Sequence, residues 1–456
     1  MKNFQNQNNG EKNCLDDIMK ILFVFPKIRH GSSTYSDPGA WKIVFGYPII
    51  TLPHLAAITP EKHEVKIVNE NYDVLDYDED ADIVGITTYT MTAPRAYKIA
   101  DEFRRRGKTV VMGGYHVTAL PEEALEHADC VVQGLAEVTW TKVLEDFEKG
   151  KLKRIYERNH DFDISKVPPL RRDLIIHNPF LGAIQTTKGC PHTCEFCAIS
   201  SFCGHMVKQR PIKDVVEEIK TMPNKIFVIH DPHLTLNKKY AKELFKELIR
   251  QKVHKQWVAN GTTDVLATAD DTFLDLARKA GCVEWFVGFE SVNQAALNET
   301  HKTHNKVENF SKLINRLHDY NMAVQGGIIF GFDHDTPDVF DTTLETINQW
   351  NMDVLEINIL TPYPGTKLFE KLDEAGRIFT KDWTHYNQVE VVFEPKNMTP
   401  EELMDGARKV AKEFYSIDKI IKRGTRTITT VKGIGRFKPA LSNFAFRKYY
   451  KRDFNF

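Results

Sequence analysis

LGAIQTTKGCPHTCEFCAIS (181–200) is an apolar run that breaks at Gln185 and leads into a short loop carrying Cys190, Cys194 and Cys197. The run reads as a buried strand, ended by the glycine and proline that flank Cys190. Three cysteines within eight residues at a strand's carboxyl end form a metal-ligand spacing rather than a packing pattern. Zinc ordinarily takes four ligands, and no second CxxC or HxxxH pair accompanies the triplet. His192 is a conceivable fourth ligand, awkwardly placed inside the loop. Three thiolates on one tight loop suit a 4Fe–4S cluster with one iron left open, which makes Cys190, Cys194 and Cys197 the metal-ligand candidates. Cys203 is a disfavoured alternative ligand. Cys14, Cys130 and Cys282 have no special role, the last two sitting in or beside apolar runs as small hydrophobes.

Downstream of this strand, apolar runs recur at 224–231, 256–261, 283–290, 322–331 and 354–363, with amphipathic helical stretches between them. Six such units predict an α/β architecture, an open, partial (β/α)6 TIM-like barrel over 181–375, with function at the carboxyl ends of its strands. Upstream, strand-like runs at 20–26, 63–69, 81–89, 108–114 and 128–134 alternate with helical patterns such as 93–107. They predict a doubly wound, Rossmann-like domain over 20–150. In such sheets ligands bind beyond the carboxyl ends of the strands. The candidate contacts there are Thr87, Thr88, Gly113, Gly114, Gly134 and Glu137, with the glycines letting backbone approach a large flat ligand. KVPPLRRDL (166–174), with paired prolines, marks 151–180 as a linker. Residues 1–19 are polar, lack the apolar stretch of a secretory signal, and read as a disordered leader.

The 456 residues carry 61 Lys+Arg against 62 Asp+Glu, a formal charge of −1. That balance excludes a chain-wide nucleic-acid surface. No run reaches the length of a spanning helix, and seven cysteines without a secretory signal do not make a disulfide framework, so a cytoplasmic setting is expected. The small helical extension at 376–456 is different in character. Residues 418–456 hold eleven Lys/Arg against Asp418 and Asp453, a net +9, and interleave them with seven aromatic rings after 436. Rings among cations fit peripheral contact with an anionic membrane, or, less favoured, nucleic acid. The plain alternative is a segment that docks its rings on the barrel and leaves its charges in water.

CxxxCxFC after a strand, with Phe196 immediately before the last cysteine, resembles the radical S-adenosylmethionine (SAM) superfamily. VGFES (287–291) is similar to that family's ribose- and methionine-contacting motif, GGIIFGF (326–332) to its fifth-strand glycine motif, and TPYPGT (361–366) to the sixth-strand end of the subgroup with an N-terminal cobalamin-binding domain. Residues 20–150 are similar to that cobalamin domain but contain no DxHxxG, so no histidine of that motif would ligate cobalt. The resemblance implies that SAM chelates the open iron and that Phe196 belongs to the cofactor site. It implies that Glu290 contacts the SAM ribose or amino group, and that Asp231 accepts a bond from its ammonium. Gly326, Gly327 and Gly331 would let adenine approach the backbone. The plainer readings are a structural ion pair for Glu290, a turn aspartate for Asp231, tight packing for the glycines and a solvated surface arginine for Arg210.

The activity implied is reductive cleavage of SAM to a 5′-deoxyadenosyl radical, followed by cobalamin-dependent methylation of an unactivated carbon. No acid or base is assigned. The expected partners are a small-molecule substrate, with a membrane lipid or isoprenoid favoured, and an electron donor such as flavodoxin or ferredoxin. Two alternatives stay open: a radical SAM cyclase, coupling or rearrangement enzyme without methyl transfer, and an iron–sulfur or cobalamin sensor without turnover.

Overall fold

The structure, a computed structural model, describes residues 18–28, 49–175 and 180–456. Most of the expected leader, Cys14 and the Gly/Ser/Pro-rich stretch at 31–39 lie outside the described residues.

The first sheet is built from β1 (Lys20–Phe25), β2 (Glu64–Asn69), β3 (Ile83–Thr87), β4 (Thr109–Gly113), β5 (Cys130–Val132) and β6 (Ile155–Tyr156). Its order is β2-β1-β3-β4-β5-β6, and every pairing is parallel. β1 and β3 read as unbroken apolar runs because both faces are covered by helices, and all five residues of β3 are buried. The order reverses between β1 and β3, so the connections leave opposite faces there and open a crevice at the strands' carboxyl ends. The segment read as linker from residue 151 first adds β6 to this sheet.

The second sheet runs β14-β13-β12-β11-β10-β7, again all parallel. Its strands are β7 (Leu181–Ile184), β10 (Ile226–Ile229), β11 (Gln256–Gly261), β12 (Cys282–Glu290), β13 (Ala323–Phe330) and β14 (Val354–Ile359). Spatial order follows chain order, so the sheet curls into a barrel that stops before closing. Alternation along β12 shows the two environments: Trp285, Val287 and Phe289 are buried against the helices, whereas Phe286, Gly288 and Glu290 face a half-open lumen. A short antiparallel pair, β8 (Thr187–Lys188) with β9 (Lys208–Gln209), clasps the base of the cysteine loop.

An unclosed barrel has free edges, and the C-terminal extension covers one of them. The Leu355 and Ile357 backbone groups point away from β13 and meet tyrosine hydroxyls instead of another strand. Tyr415 Oη accepts from the Leu355 N–H at 3.1 Å and donates to the Leu355 carbonyl. Tyr450 Oη accepts from the Ile357 N–H at 2.6 Å and donates to its carbonyl at 3.1 Å. The same extension plugs the amino end of the barrel. Gln256 donates to the Lys432 carbonyl at 2.8 Å and accepts from the Gly435 N–H at 2.6 Å. Lys438 reaches inward to pair with buried Glu284 and to donate to Gln325 at 3.1 Å.

The basic aromatic tail is therefore built into the fold. Phe446, Tyr449, Tyr450 and Phe454 are buried, and two of the cations, Arg423 and Lys438, are buried with them. Composition alone could not say which face of the helix Phe437–Asp453 the rings occupy. Packing against β14 and the helix Pro400–Phe414 decides it.

Tyr450→Phe leaves the Ile357 N–H and carbonyl buried and unpaired, and should cost about 1–3 kcal/mol in denaturant unfolding. Tyr449 supplies the control, because its buried hydroxyl has no hydrogen-bond partner among the described residues. Tyr449→Phe should be neutral or slightly stabilising. Equal losses from the two variants would show that the edge bonds carry no particular weight.

Candidate active site

The cysteine loop leaves β8 at the carboxyl end of the barrel and is anchored from below. Asp231, at the end of β10, is fully buried and accepts from the Thr186 N–H at 2.7 Å, the Thr187 N–H at 2.9 Å and the Thr186 hydroxyl. Burial raises its carboxyl to about 6 despite these bonds. Enclosed in this way, Asp231 fixes the start of the loop, its carboxylate already accepting from three protein donors. Arg210 is not a solvated surface arginine. It is buried beside Glu218 at 2.6 Å and donates to the Gln185 carbonyl at 3.0 Å.

Cys190 is buried, and Cys194 and Cys197 are half-buried. Burial pushes all three thiols up, Cys194 to about 12, so an iron centre must displace their protons on binding. Backbone N–H donors oppose the rise at Cys190 and Cys197, and the Lys302 ammonium opposes it at all three. Lys302 also forms a nearly enclosed ion pair with Glu290, and its ammonium lies 5.8 Å from the Phe196 ring centre. Glu290 itself sits in the left-handed region at φ 66°, which turns its side chain over Gly288 and into the lumen. Asn305 fixes the segment that carries Lys302, donating to the Gly288 and Phe289 carbonyls at 2.8 and 3.0 Å. Lys302 went unread in the sequence; its signal was a lone cation twelve residues beyond a strand-ending glutamate.

The three glycines separate by strand parity. Gly327 pairs with Gly288 on one side and Glu356 on the other, all facing the lumen. Gly326 faces the helices, where a Cβ would come within 2.7 Å of Met352. Gly331, at φ 109°, packs against Leu403 and Phe393 of the extension. Tight packing is thus the role of Gly326 and Gly331, and only Gly327 stands at the lumen. Glu356 was another omission. Burial raises its carboxyl to about 7, and Gln325 donates to it at 3.3 Å.

At the first sheet's carboxyl edge, Thr87, Gly113, Gly114, Gly134 and Glu137 line one cavity. Gly114, at φ 107°, lies so close to Thr88 that a Cβ would meet its carbonyl oxygen at 2.7 Å and its nitrogen at 2.8 Å. The Thr88 hydroxyl is buried next to this turn with no hydrogen-bond partner among the described residues. A flat ligand bearing polar side arms fits such an edge, with an apolar wall and an unmatched hydroxyl. Glu137 pairs with Lys188 and accepts from His54 at 3.0 Å, with Lys188 and His54 3.5 Å apart. Burial opposes ionisation of Glu137, but the Lys188 ammonium and the contact with His54 hold its carboxyl well below the usual range. Lys188 stands two residues before Cys190, so this triad joins the two domains beside the cysteine loop. The cavity continues past Lys188 to Gln185, His230 and Pro232 at the mouth of the barrel.

The comparisons with known proteins follow this division. Residues 184–347 match the family model of the radical SAM superfamily, and residues 45–144 match that of the B12 binding domain. Bacteriochlorophyllide d C-8(2)-methyltransferase of Chlorobaculum tepidum is 32% identical over 395 residues, which cover 81% of this chain and 86% of that protein. The C-12(1)-methyltransferase of the same organism is 31% identical over 354 residues, covering 75% and 76%. A structure of the radical SAM methyltransferase TsrM from Kitasatospora setae, with cobalamin and a [4Fe-4S] cluster bound, shares the fold at a TM-score of 0.67 and 16% identity over 95% of this chain and 99% of that one. The cofactors are a 4Fe–4S cluster, SAM and cobalamin. With its two cofactor-binding parts matched in order and full-length relatives above 30% identity, the chain belongs to the radical SAM superfamily of enzymes that carry an N-terminal B12-binding domain.

Proposed function

We propose that the enzyme methylates an unactivated carbon on a large, mostly apolar small molecule, with a side chain of a chlorophyll-type macrocycle as the substrate class. One observation carries the reading: a single cavity runs from the first sheet's strand ends past Lys188 and Gly189, at the start of the cysteine loop, to Gln185, His230 and Pro232 at the mouth of the barrel. Two relatives above 30% identity, both bacteriochlorophyllide d methyltransferases, support the substrate class. When bound, the cluster with SAM supplies hydrogen abstraction from carbon, and the corrin supplies the methyl group.

The chain's own residues bind and orient. Cys190, Cys194 and Cys197 hold the cluster. Lys302 offers its ammonium to the SAM carboxylate beside the open iron, and Glu290 takes the amino or ribose side of the same molecule. Phe196 shields the cluster, and Gly327 leaves room on the lumen wall. Thr87, Thr88, Gly113, Gly114, Gly134 and Glu137 would hold the corrin at the first sheet's carboxyl edge, beside the Glu137–Lys188 pair. A small acidic electron-transfer protein of the flavodoxin or ferredoxin kind is the donor we assign.

The rings available for peripheral membrane contact are few. Of the tail's rings only Phe437 and Phe444 are exposed, and among the described residues no helix is long and apolar enough to cross a membrane.

Anaerobic enzyme given SAM bearing a labelled methyl group, a reductant, cobalamin and a bacteriochlorophyllide should release 5′-deoxyadenosine and add labelled methyl to the macrocycle. Deoxyadenosine with an oxidised but unmethylated product would move the enzyme to the cyclase class. Cys194→Ala should lose the cluster chromophore and all SAM cleavage. Lys302→Met should keep the chromophore and bind SAM about tenfold or more weakly, the effect of losing one charge-assisted hydrogen bond. Unchanged SAM affinity would remove Lys302 from the site.

A further inference from the structure

Beside the thiols lies a group of imidazoles that the radical chemistry does not use. His192 projects from the cysteine loop, and His233 follows β10 on the neighbouring unit. The Cys190 Sγ and one ring nitrogen from each histidine all lie within 4.8 Å of one another. The arrangement is braced. His192 stacks on His304 with ring centres 4.1 Å apart at 17°, and it meets His233 edge-on at 5.4 Å. The Ser200 hydroxyl donates to the His192 carbonyl at 2.7 Å, which fixes the loop behind it. The His233 Nδ1 is buried with no hydrogen-bond partner among the described residues.

One thiolate and two imidazoles converging from two separate elements are a donor set for a borderline divalent cation. We propose that, in the cluster-free chain, Cys190, His192 and His233 form a mononuclear site for Zn2+ or Fe2+, with the remaining position left to water. On binding, the Cys190 thiol gives its proton to solvent, the metal gains one sulfur and two nitrogen bonds, and no electron moves. The site lies over the cluster loop, and Cys190 cannot serve both centres. Iron bound there is a first landing point for cluster assembly, and zinc bound there blocks assembly. This consequence rests on Cys190 being a cluster ligand, whereas the site itself does not.

Co2+ reports on the site through its thiolate charge-transfer and ligand-field bands. Full-length Cys194→Ala/Cys197→Ala chain, free of iron and anaerobic, lacks the three-thiol alternative and should bind one Co2+ with single-thiolate character. Adding His233→Ala to that background should weaken Co2+ binding by roughly tenfold or more. No Co2+ binding, or binding indifferent to His233→Ala, overturns the proposal. Zinc-loaded wild-type chain gives a second measurement independent of those substitutions. X-ray absorption should show one sulfur with a nitrogen-rich shell, and a three-sulfur shell overturns the proposal. Cluster reconstitution in wild-type chain is scored separately, so failure of the mononuclear site and failure of the cluster assignment give different results.

Discussion

A parallel sheet of six strands that curls without closing leaves backbone donors and acceptors exposed along its outer strands, and a buried unpaired backbone group is expensive. Much of the architecture answers that constraint. Tyr415 and Tyr450 take the place of a seventh strand along β14. Val431 packs with the amino-end residues of the barrel, and Gly435 and Lys438 complete the plug, leaving the lumen open only at the carboxyl end. That end is roofed by the first domain. Incomplete closure is also what gives the lumen room for a substrate, since fully closed eight-stranded barrels are filled by their own side chains.

The joint between the two domains is electrostatic where it matters chemically. Glu137 comes from the first sheet's edge, Lys188 from the clasp under the cysteine loop, and His54 from the helix Thr51–Ile58, and all three are buried together. Farther out, Glu123 accepts from Trp383 at 3.0 Å, from Tyr97 at 2.8 Å and from His116 at 3.1 Å, tying the extension to the first domain. Breaking a buried pair from one side is far more damaging than replacing both partners. The relative placement of the two domains is thus specified by a few polar contacts set within a shared apolar core, with the Tyr115 and Phe202 ring centres 4.3 Å apart across the joint.

Both sheets were legible in the sequence because strands covered on both faces are nearly continuous apolar runs, and the thiol triplet was legible because its spacing is local. What stayed hidden has a common physical cause. Lys302, Glu356 and His54 acquire meaning only when distant segments meet, and no local pattern marks them. Adjacent Gly326 and Gly327 must face opposite sides of one strand, a parity available in the sequence that a motif reading passes over. Asp231 shows the limit of a strand-end reading, because a carboxylate facing a ligand and one tied to the neighbouring strand look alike until the Thr186 and Thr187 amides are placed. The tail's unusual composition left docked rings and surface contact both open, because ring burial depends on which helical face meets β14.

The tyrosine seal bears on how the polypeptide is made. Ile357 waits for a residue 93 positions later in the chain. At the usual rate of ribosomal elongation, about 5–20 residues per second, that interval lasts roughly 5–20 s. Throughout it a hydrophobic strand edge is available to any other nascent segment. Slow codons in that interval would prolong the hazard, and a chaperone that shields strand edges would shorten its reach, so yield in heterologous expression should respond to elongation speed between β14 and the final helix more than to anything at the metal centre.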